Sequence, residues 1–376
     1  MTSDERFAWL PDHQLHVAAT LGHVDRIVSQ IGELLREYVR GDSLGLEPVK
    51  VGTMSHLTVT SVAPLPLAIS RLTADATTQM RAALEHCVFS EVEYALGRKL
   101  NAAEETRVEM PVFDDESKFE RWPFERRRPE IAPLAADGPL VHRIRSLQPF
   151  QSAHRSDEHP LRLLAAHSNR AKHRTPAVAA TNLGRVIPER LVYGLEIPEP
   201  SVGPIRTGDV LVRSPVGVSV GADIWPFVSI ERPHTGTWHV LMKELELIEK
   251  WVRTIALPSL IAGRLDVPEL PAPLDIQRGH ANVRAELEAT FGRTAADRTG
   301  RALGAEGTIR PALIDLLQAR ASSAEIEAIR WWVSRLDDDA AIARMERLSL
   351  VGGLPSRAEE AVDQLVRIAL RAYESR

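Results

Sequence analysis

The apolar residues of two long segments recur at spacings of three and four, which is the period of an amphipathic helix. In residues 16–39 they include Val17, Leu21, Val24, Val28 and Ile31. In residues 67–96 they include Ile69, Met80, Leu84, Val88 and Val92, and no glycine or proline interrupts the run. The pattern predicts two long helices, each with one buried face.

Shorter periodic segments predict further helices at residues 140–147, 161–174 and 238–262. Residues 47–62 and 177–230 instead contain runs rich in β-branched residues, separated by glycine, proline and asparagine. We expect extended chain at 47–62 and a small antiparallel β-sheet at about 177–232. The predicted fold class is α+β, predominantly α: a helical bundle with a small sheet.

A proline-rich segment divides the chain. Three of the nine residues VPELPAPLD (267–275) are proline, which predicts a linker at 266–275. On this basis residues 1–265 form the bundle that carries the sheet, and residues 276–376 form a separate all-α C-terminal module. The helices predicted in this module are 281–291, 308–319, 323–336, 340–348 and 356–373.

Composition narrows the possible classes of protein. Of the 376 residues, 44% are apolar and 26% are charged, and the net charge of −5 excludes a generally basic nucleic-acid coat. The single cysteine, Cys87, excludes an intramolecular disulfide and a zinc site of several thiolates. No run approaches the roughly 20 apolar residues that span a bilayer, and no secretory signal is visible. We therefore expect a cytoplasmic protein without membrane contact.

The second long helix carries an arginine and a histidine five positions apart, Arg81 and His86. Cleavage of RNA without a metal needs an imidazole that moves a proton and a cation that stabilises the negative charge developing on the phosphate. Arginine suits the second role because its planar guanidinium binds phosphate through two hydrogen bonds. The sequence thus offers Arg81 and His86 as a catalytic pair.

A structural role for these residues is the alternative. On a straight helix, five positions leave two side chains about 140° apart, so Arg81 and His86 do not share a face. A joint site needs a local distortion, a second helix or a second subunit. Arg81 and Glu85 are meanwhile four positions apart, which is the spacing of a surface ion pair.

A second polar cluster closes the helix predicted at 161–174. Cations at a helix C-terminus are favoured by the helix dipole, so this cluster could simply join two helices. Alternatively it faces Glu85 on the long helix and binds phosphate. The candidate substrate-binding residues are Glu85, Asn169, Lys172, His173 and Arg174.

The common cofactor motifs are missing from the chain. We find no glycine-rich loop ending in Gly-Lys, no Gly-x-Gly-x-x-Gly after a strand and no His-Glu-x-x-His. The histidines are scattered along the sequence. We therefore expect no cofactor and no metal site.

Four ordered blocks resemble a group of uncharacterised bacterial proteins. They are PLAISRLTADATTQMRAALEHCVFSEVEYAL, MPVFDDESKF, IRSLQPFQ and PLRLLAAHSNRAKHR, within residues 15–260. The first is similar to a helix reading approximately Asn-Leu-Arg-Ser-Ala-Leu-Asp-His-Leu, and the last to a helix with Asn-x-Asp-Lys-His-Arg. Asn169, Lys172, His173 and Arg174 match the last helix, whereas Ala171 stands where the group has aspartate.

The helix with Arg81 and His86 also resembles the motif of HEPN domains. These are helical bundles, many of which are metal-independent ribonucleases in toxin–antitoxin and phage-defence systems. The resemblance implies that the two residues are catalytic and that a homodimer builds the site. Ala82 departs from the motif, because HEPN nucleases usually carry a polar residue there.

Two functions follow as hypotheses, beside a third possibility that no motif supports, an enzyme that acts on a small metabolite through the same polar cluster. The first is a HEPN-like protein that binds or cleaves RNA. The alternative is a non-catalytic helical scaffold, whose C-terminal module binds a protein partner. Burial separates them: a solvent-accessible cleft with Arg81, His86 and His173 favours the enzyme, and a pair sealed inside the bundle favours the scaffold.

Overall fold

The structure is a computed structural model that describes residues 6–152, 155–188, 192–199, 203–218, 222–271, 273–322, 324–351 and 355–376. The helices are α1 (Leu15–Arg40), α2 (Leu67–Leu96), α3 (Ala102–Glu105), α4 (Glu116–Arg121), α5 (Pro139–Ser146), α6 (Pro160–His173), α7 (Leu241–Trp251), α8 (Leu257–Ala262), α9 (Val283–Ala289), α10 (Ala295–Gly304), α11 (Arg310–Gln318), α12 (Ile326–Arg335), α13 (Asp338–Val351) and α14 (Pro355–Glu374). The strands are β1 (Leu44–Val51), β2 (Met54–Val62), β3 (Ala179–Pro188), β4 (Val210–Pro215), β5 (Ala222–Glu231) and β6 (Trp238–Val240). The fold is α+β and predominantly α, as predicted.

Helices α1, α2 and α6 form the centre of the first part of the chain. α1 packs along α2, and α6 packs against α2. The apolar stripes read from the sequence are the buried faces: Leu21 and Val28 of α1 and Leu84 and Val88 of α2 are fully buried. The helix α2 is capped at its C-terminus by Gly97, whose φ of 63° suits a residue without a Cβ. The prediction of two long amphipathic helices is confirmed.

The strands of the described residues form two three-stranded antiparallel sheets, ordered β1-β2-β4 and β3-β5-β6. The sequence predicted one sheet within 177–232 and left 47–62 as extended chain. The prediction was incomplete because β2 pairs with β4, and Val59 of β2 packs against Leu211 and Val212 of β4. This pairing joins distant parts of the chain, and no local pattern encodes it.

The helix predicted at 238–262 is divided into several elements. Residues 238–240 pair with β5 as β6, so α7 begins only at Leu241. A π-helical turn, Val252–Ala256, then joins α7 to α8. Pro258 has no N–H to donate and disfavours a regular helical turn before it, which accounts for the wider turn.

The proline-rich segment packs against the first part of the chain. The structure divides into two compact units, Met1–Asp297 and Arg298–Arg376, and not at 266–275. Leu270 and Leu274 are buried, and the buried Arg253 donates hydrogen bonds to the carbonyls of Leu270 and Pro271. Extended proline-rich backbone leaves its carbonyls free, so it can satisfy a buried guanidinium.

The helix α9 also lies in the first unit, although residues 276–376 were predicted to form one module. Arg284 of α9 donates to the carbonyls of Phe7 and Leu10 and pairs with Asp12 at 2.6 Å. The second unit is all-α. Its core contains Leu313, Leu317, Ile329, Trp332, Val333, Leu348, Val366 and Ala369.

Candidate functional site

Arg81 and Glu85 lie one turn apart on α2 and together hold the backbone of Met110. The Nε of Arg81 donates to Glu85 Oε1 at 2.9 Å, and its Nη2 donates to the Met110 carbonyl. Glu85 Oε2 accepts the Met110 N–H at 2.6 Å. The ion pair expected from the spacing therefore forms, and it holds the segment at 109–113 against α2.

Gln148 fixes the other end of this segment. Its Oε1 accepts the Phe113 N–H at 3.0 Å, and its Nε2 donates to the Pro111 carbonyl at 3.1 Å. Gln148 is itself fully buried. The segment is thus a rigid wall that faces α6.

Two cavities follow one face of α6, and we call them together the α6 groove. The inner cavity, of about 290 Å³, is lined by Arg81, Glu109, Met110, Pro111, Val112, Phe113, Arg162, Ala165, Ala166 and Asn169. The outer cavity, of about 610 Å³, is lined by Ala166, Asn169, Arg170, His173, Arg174 and Thr175. Ala166 and Asn169 belong to both cavities. The short alanine side chains leave the space, and Asn169 lies at the junction.

The groove has an excess of hydrogen-bond donors. Arg81 Nη1 and Arg162 Nε are buried and have no hydrogen-bond partner within the described residues. Arg162 Nη1 lies 3.3 Å from Asp114, and Arg170 Nη1 lies 3.5 Å from Glu231. Buried donors without an acceptor cost free energy that an anionic ligand can recover.

Arg81 and His86 do not meet within one chain. Arg81 lines the groove, whereas the exposed His86 lies beside His16 of α1, with ring centroids 6.2 Å apart. Partial burial lowers the pKa of His16, and the neighbouring His86 lowers it further. The helix α2 is regular at this point, so the rotation of about 140° keeps the two side chains on different faces.

The other candidate residues divide in the same way. Asn169, His173 and Arg174 line the groove together with Arg81. Glu85 lines neither cavity, but it holds the backbone of Met110, which lines the inner one. Lys172 is exposed and lines neither cavity. Arg162 was not among the predicted site residues, although its spacing of seven from Asn169 places both residues on one helix face.

A buried ion cluster positions α6 behind the groove. Glu244 of α7 accepts from Arg232 at 2.7 Å and lies 3.3 Å from His167 Nε2. Burial alone would raise the pKa of Glu244, but the hydrogen bonds from His167 and Arg232 outweigh it and lower the pKa to about 2. Glu244 therefore stays ionised at neutral pH and holds together α6, α7 and the residue that follows β5.

In comparisons with protein-family models, curated proteins and solved structures, none matched this chain. Within the described ranges, no helix combines the length and the apolar character needed to cross a bilayer. The same residues contain no group of three or more His, Cys, Asp or Glu side chains placed to hold a metal ion.

Proposed function

We propose that this protein binds RNA and that the α6 groove takes the phosphates. The observation that carries the proposal is that two arginines lining the inner cavity, Arg81 and Arg162, each have a buried donor without a partner, Nη1 and Nε respectively. Phosphate oxygens are acceptors that suit the guanidinium geometry. The net charge of −5 does not oppose this function, because a local patch determines binding.

The outer cavity extends the same surface. His173 and Arg174 lie exposed at its wall, where they can contact a second phosphate along a nucleotide chain. The amide of Asn169 stands between the two cavities and can both donate and accept hydrogen bonds. A polymer with regularly spaced phosphates fits this arrangement better than a single small anion.

The geometry favours binding over cleavage by a single chain. Arg81 faces the groove and His86 faces α1, so cleavage by this pair requires a second copy of the chain. The homodimer and the toxin or phage-defence context, both implied by the HEPN resemblance, apply only if the protein cleaves RNA in this way. His86→Ala then abolishes cleavage while the groove still binds RNA.

One observation supports the alternative of a non-catalytic scaffold. Arg81 bonds to the Met110 carbonyl, Glu85 bonds to the Met110 N–H, and the two side chains bond to each other, as in a purely structural clamp. In that version the groove contributes nothing to RNA binding. The same experiment separates the two functions.

The test replaces Asn169 by Asp, which keeps the side-chain shape and places a negative charge at the junction of the cavities. The matched control is Asn101→Asp, because Asn101 is the exposed N-cap of α3 and aspartate caps a helix equally well. Both variants have the same net charge. We expect Asn169→Asp to weaken binding of a labelled single-stranded RNA by at least about tenfold, or ~1.4 kcal/mol, and Asn101→Asp to bind like the wild type.

Fluorescence anisotropy measures affinity, and a denaturing gel of the same samples, with and without chelator, measures cleavage. Affinity should also fall as salt concentration rises, because phosphate contacts release counterions. Equal affinity of the two variants would refute the groove as the site. If the wild type does not bind RNA, the non-catalytic scaffold is the remaining function.

A further inference from the structure

A kinked loop of 3₁₀-helical turns presents an exposed aromatic ring and two exposed arginines close to Glu109 of the groove. We call residues 121–130 the arginine knuckle. Phe124 is 67% exposed, and Arg121 and Arg126 are exposed and make no ion pair in the part of the chain that is described. Glu120 and Glu125 are exposed next to them. The loop therefore offers one stacking surface with two available cations.

A buried arginine anchors the knuckle. Arg128 is 1% exposed and donates to the carbonyls of Trp122 at 2.9 Å and Arg107 at 3.0 Å. Its guanidinium also contacts Glu109 Oε1 at 2.5 Å and lies 4.6 Å from the centre of the Trp122 ring. Every one of these contacts fixes the base of the loop and leaves Phe124 free.

The loop holds a strained backbone. Arg126 and Arg127 have φ values of 50° and 56°, a region that residues with a Cβ rarely adopt. Such strain persists only where the surroundings enforce it, and it concentrates at functional sites. Here the buried Arg128, which follows directly and bonds to the carbonyls of Trp122 and Arg107, holds the chain in place, while Arg127 pairs with Glu130 at the surface at 2.6 Å.

The knuckle and the α6 groove share a wall. Glu109 lines the inner cavity and also accepts from Trp122 Nε1 at 3.1 Å and from Arg128. The next residue, Met110, is the one that Arg81 and Glu85 hold. Glu109 therefore connects the base of the knuckle to the wall of the inner cavity.

We propose that the RNA bound by this protein is single-stranded and that Phe124 stacks on one of its unpaired bases. This inference rests on the proposed function of the groove. Aromatic side chains next to arginines bind single strands through stacking and phosphate contacts, and paired bases have no free face to offer. An anionic membrane is less suitable, because the knuckle exposes a single ring and no wider apolar face that could enter a lipid surface.

The probes are a labelled oligoadenylate of roughly 12 nucleotides and the same strand paired to its complement. We expect Phe124→Ala to weaken binding of the single strand by about tenfold and to leave duplex binding unchanged. Phe124→Tyr keeps a stacking ring, and Tyr193→Ala removes an aromatic ring that is fully exposed elsewhere. Both should bind within about twofold of the wild type.

Three outcomes overturn the inference. In the first, Phe124→Ala binds the single strand as tightly as the wild type does. In the second, Phe124→Ala loses the same affinity for the single strand and the duplex, and in the third it loses binding only to vesicles that contain phosphatidylserine. If Asn169→Asp still loses RNA binding in the first case, the groove remains the proposed RNA site and only the stacking role of Phe124 is refuted. A wild type that binds neither RNA removes both proposals.

The variant Arg126→Gly separates function from folding. Glycine relieves the left-handed strain, so the melting temperature should stay equal or rise while single-strand affinity falls about threefold. Arg127→Gly, the control, relieves the same strain but removes an arginine already paired with Glu130. Unchanged affinity of Arg126→Gly would show that this cation does not contact RNA.

Discussion

His159 combines two roles at the start of α6. Its Nδ1 accepts the Leu161 N–H at 3.2 Å and so caps the helix, and its ring packs edge-on against Trp251 at 5.4 Å. Burial lowers the pKa of His159 from 6.5 to about 4. Because an imidazolium has no acceptor nitrogen, protonation removes the cap.

This pKa predicts an acid-sensitive stability. Between pH 6.5 and about 4 the unfolded chain binds a proton that the folded chain does not, so the free energy of unfolding falls as the pH drops. We expect a loss on the order of 1 kcal/mol on going from about pH 7 to about pH 5, since the ring is half-buried and solvent screens its charge. Urea unfolding at the two pH values measures it.

His159→Asn is the matched variant, because asparagine caps a helix and does not titrate. Its stability should change less with pH than that of the wild type over the same interval. An identical pH dependence of the two proteins would show that His159 is not the responsible group.

At the scale of elements, the wall of the groove depends on α2. Glu85→Gln keeps an acceptor for the Met110 N–H but leaves the partly buried Arg81 without its counter-charge. We expect a loss of stability of about 1–2 kcal/mol and faster hydrogen exchange at the Met110 amide. Glu33→Gln, an exposed change on α1, is the control. Unchanged exchange at Met110 would contradict the clamp.

The elements also show where local patterns succeed and fail. The apolar stripes of α1 and α2 predicted their bounds to within about one residue, because each helix is stabilised by contacts within a few positions. The pairing of β2 with β4 and the short strand β6 escaped prediction, because strand partners are chosen by tertiary packing. The burial of Arg128 is a further tertiary outcome, because in the sequence this residue stands among charged neighbours.

At the scale of the whole molecule, the position of the domain boundary has a direct test. A chain ending at Asp297 should unfold cooperatively, because it keeps the contacts of the first unit. A chain ending at Asp266 loses buried Leu270 and Leu274 and two carbonyl acceptors of Arg253. We expect it to be destabilised by at least about 3 kcal/mol, measured by urea unfolding.

Equal stability of the two shortened chains would show that the proline-rich segment is a linker, as the composition predicts. The second unit has its own apolar core, and a protein partner for it stays a prediction. Neither outcome affects the groove, whose residues all precede the segment.

The sequence by itself determined the fold class, the long helices and the ion pair of Arg81 with Glu85, because these depend on spacing along a helix. Only the tertiary structure decided that Arg81 lines a cavity with Asn169 and not with His86, and that the proline-rich segment packs against the rest of the first unit through buried Leu270 and Leu274. Those outcomes depend on which distant segments pack together, and the residues between them carry no periodic signal of that choice.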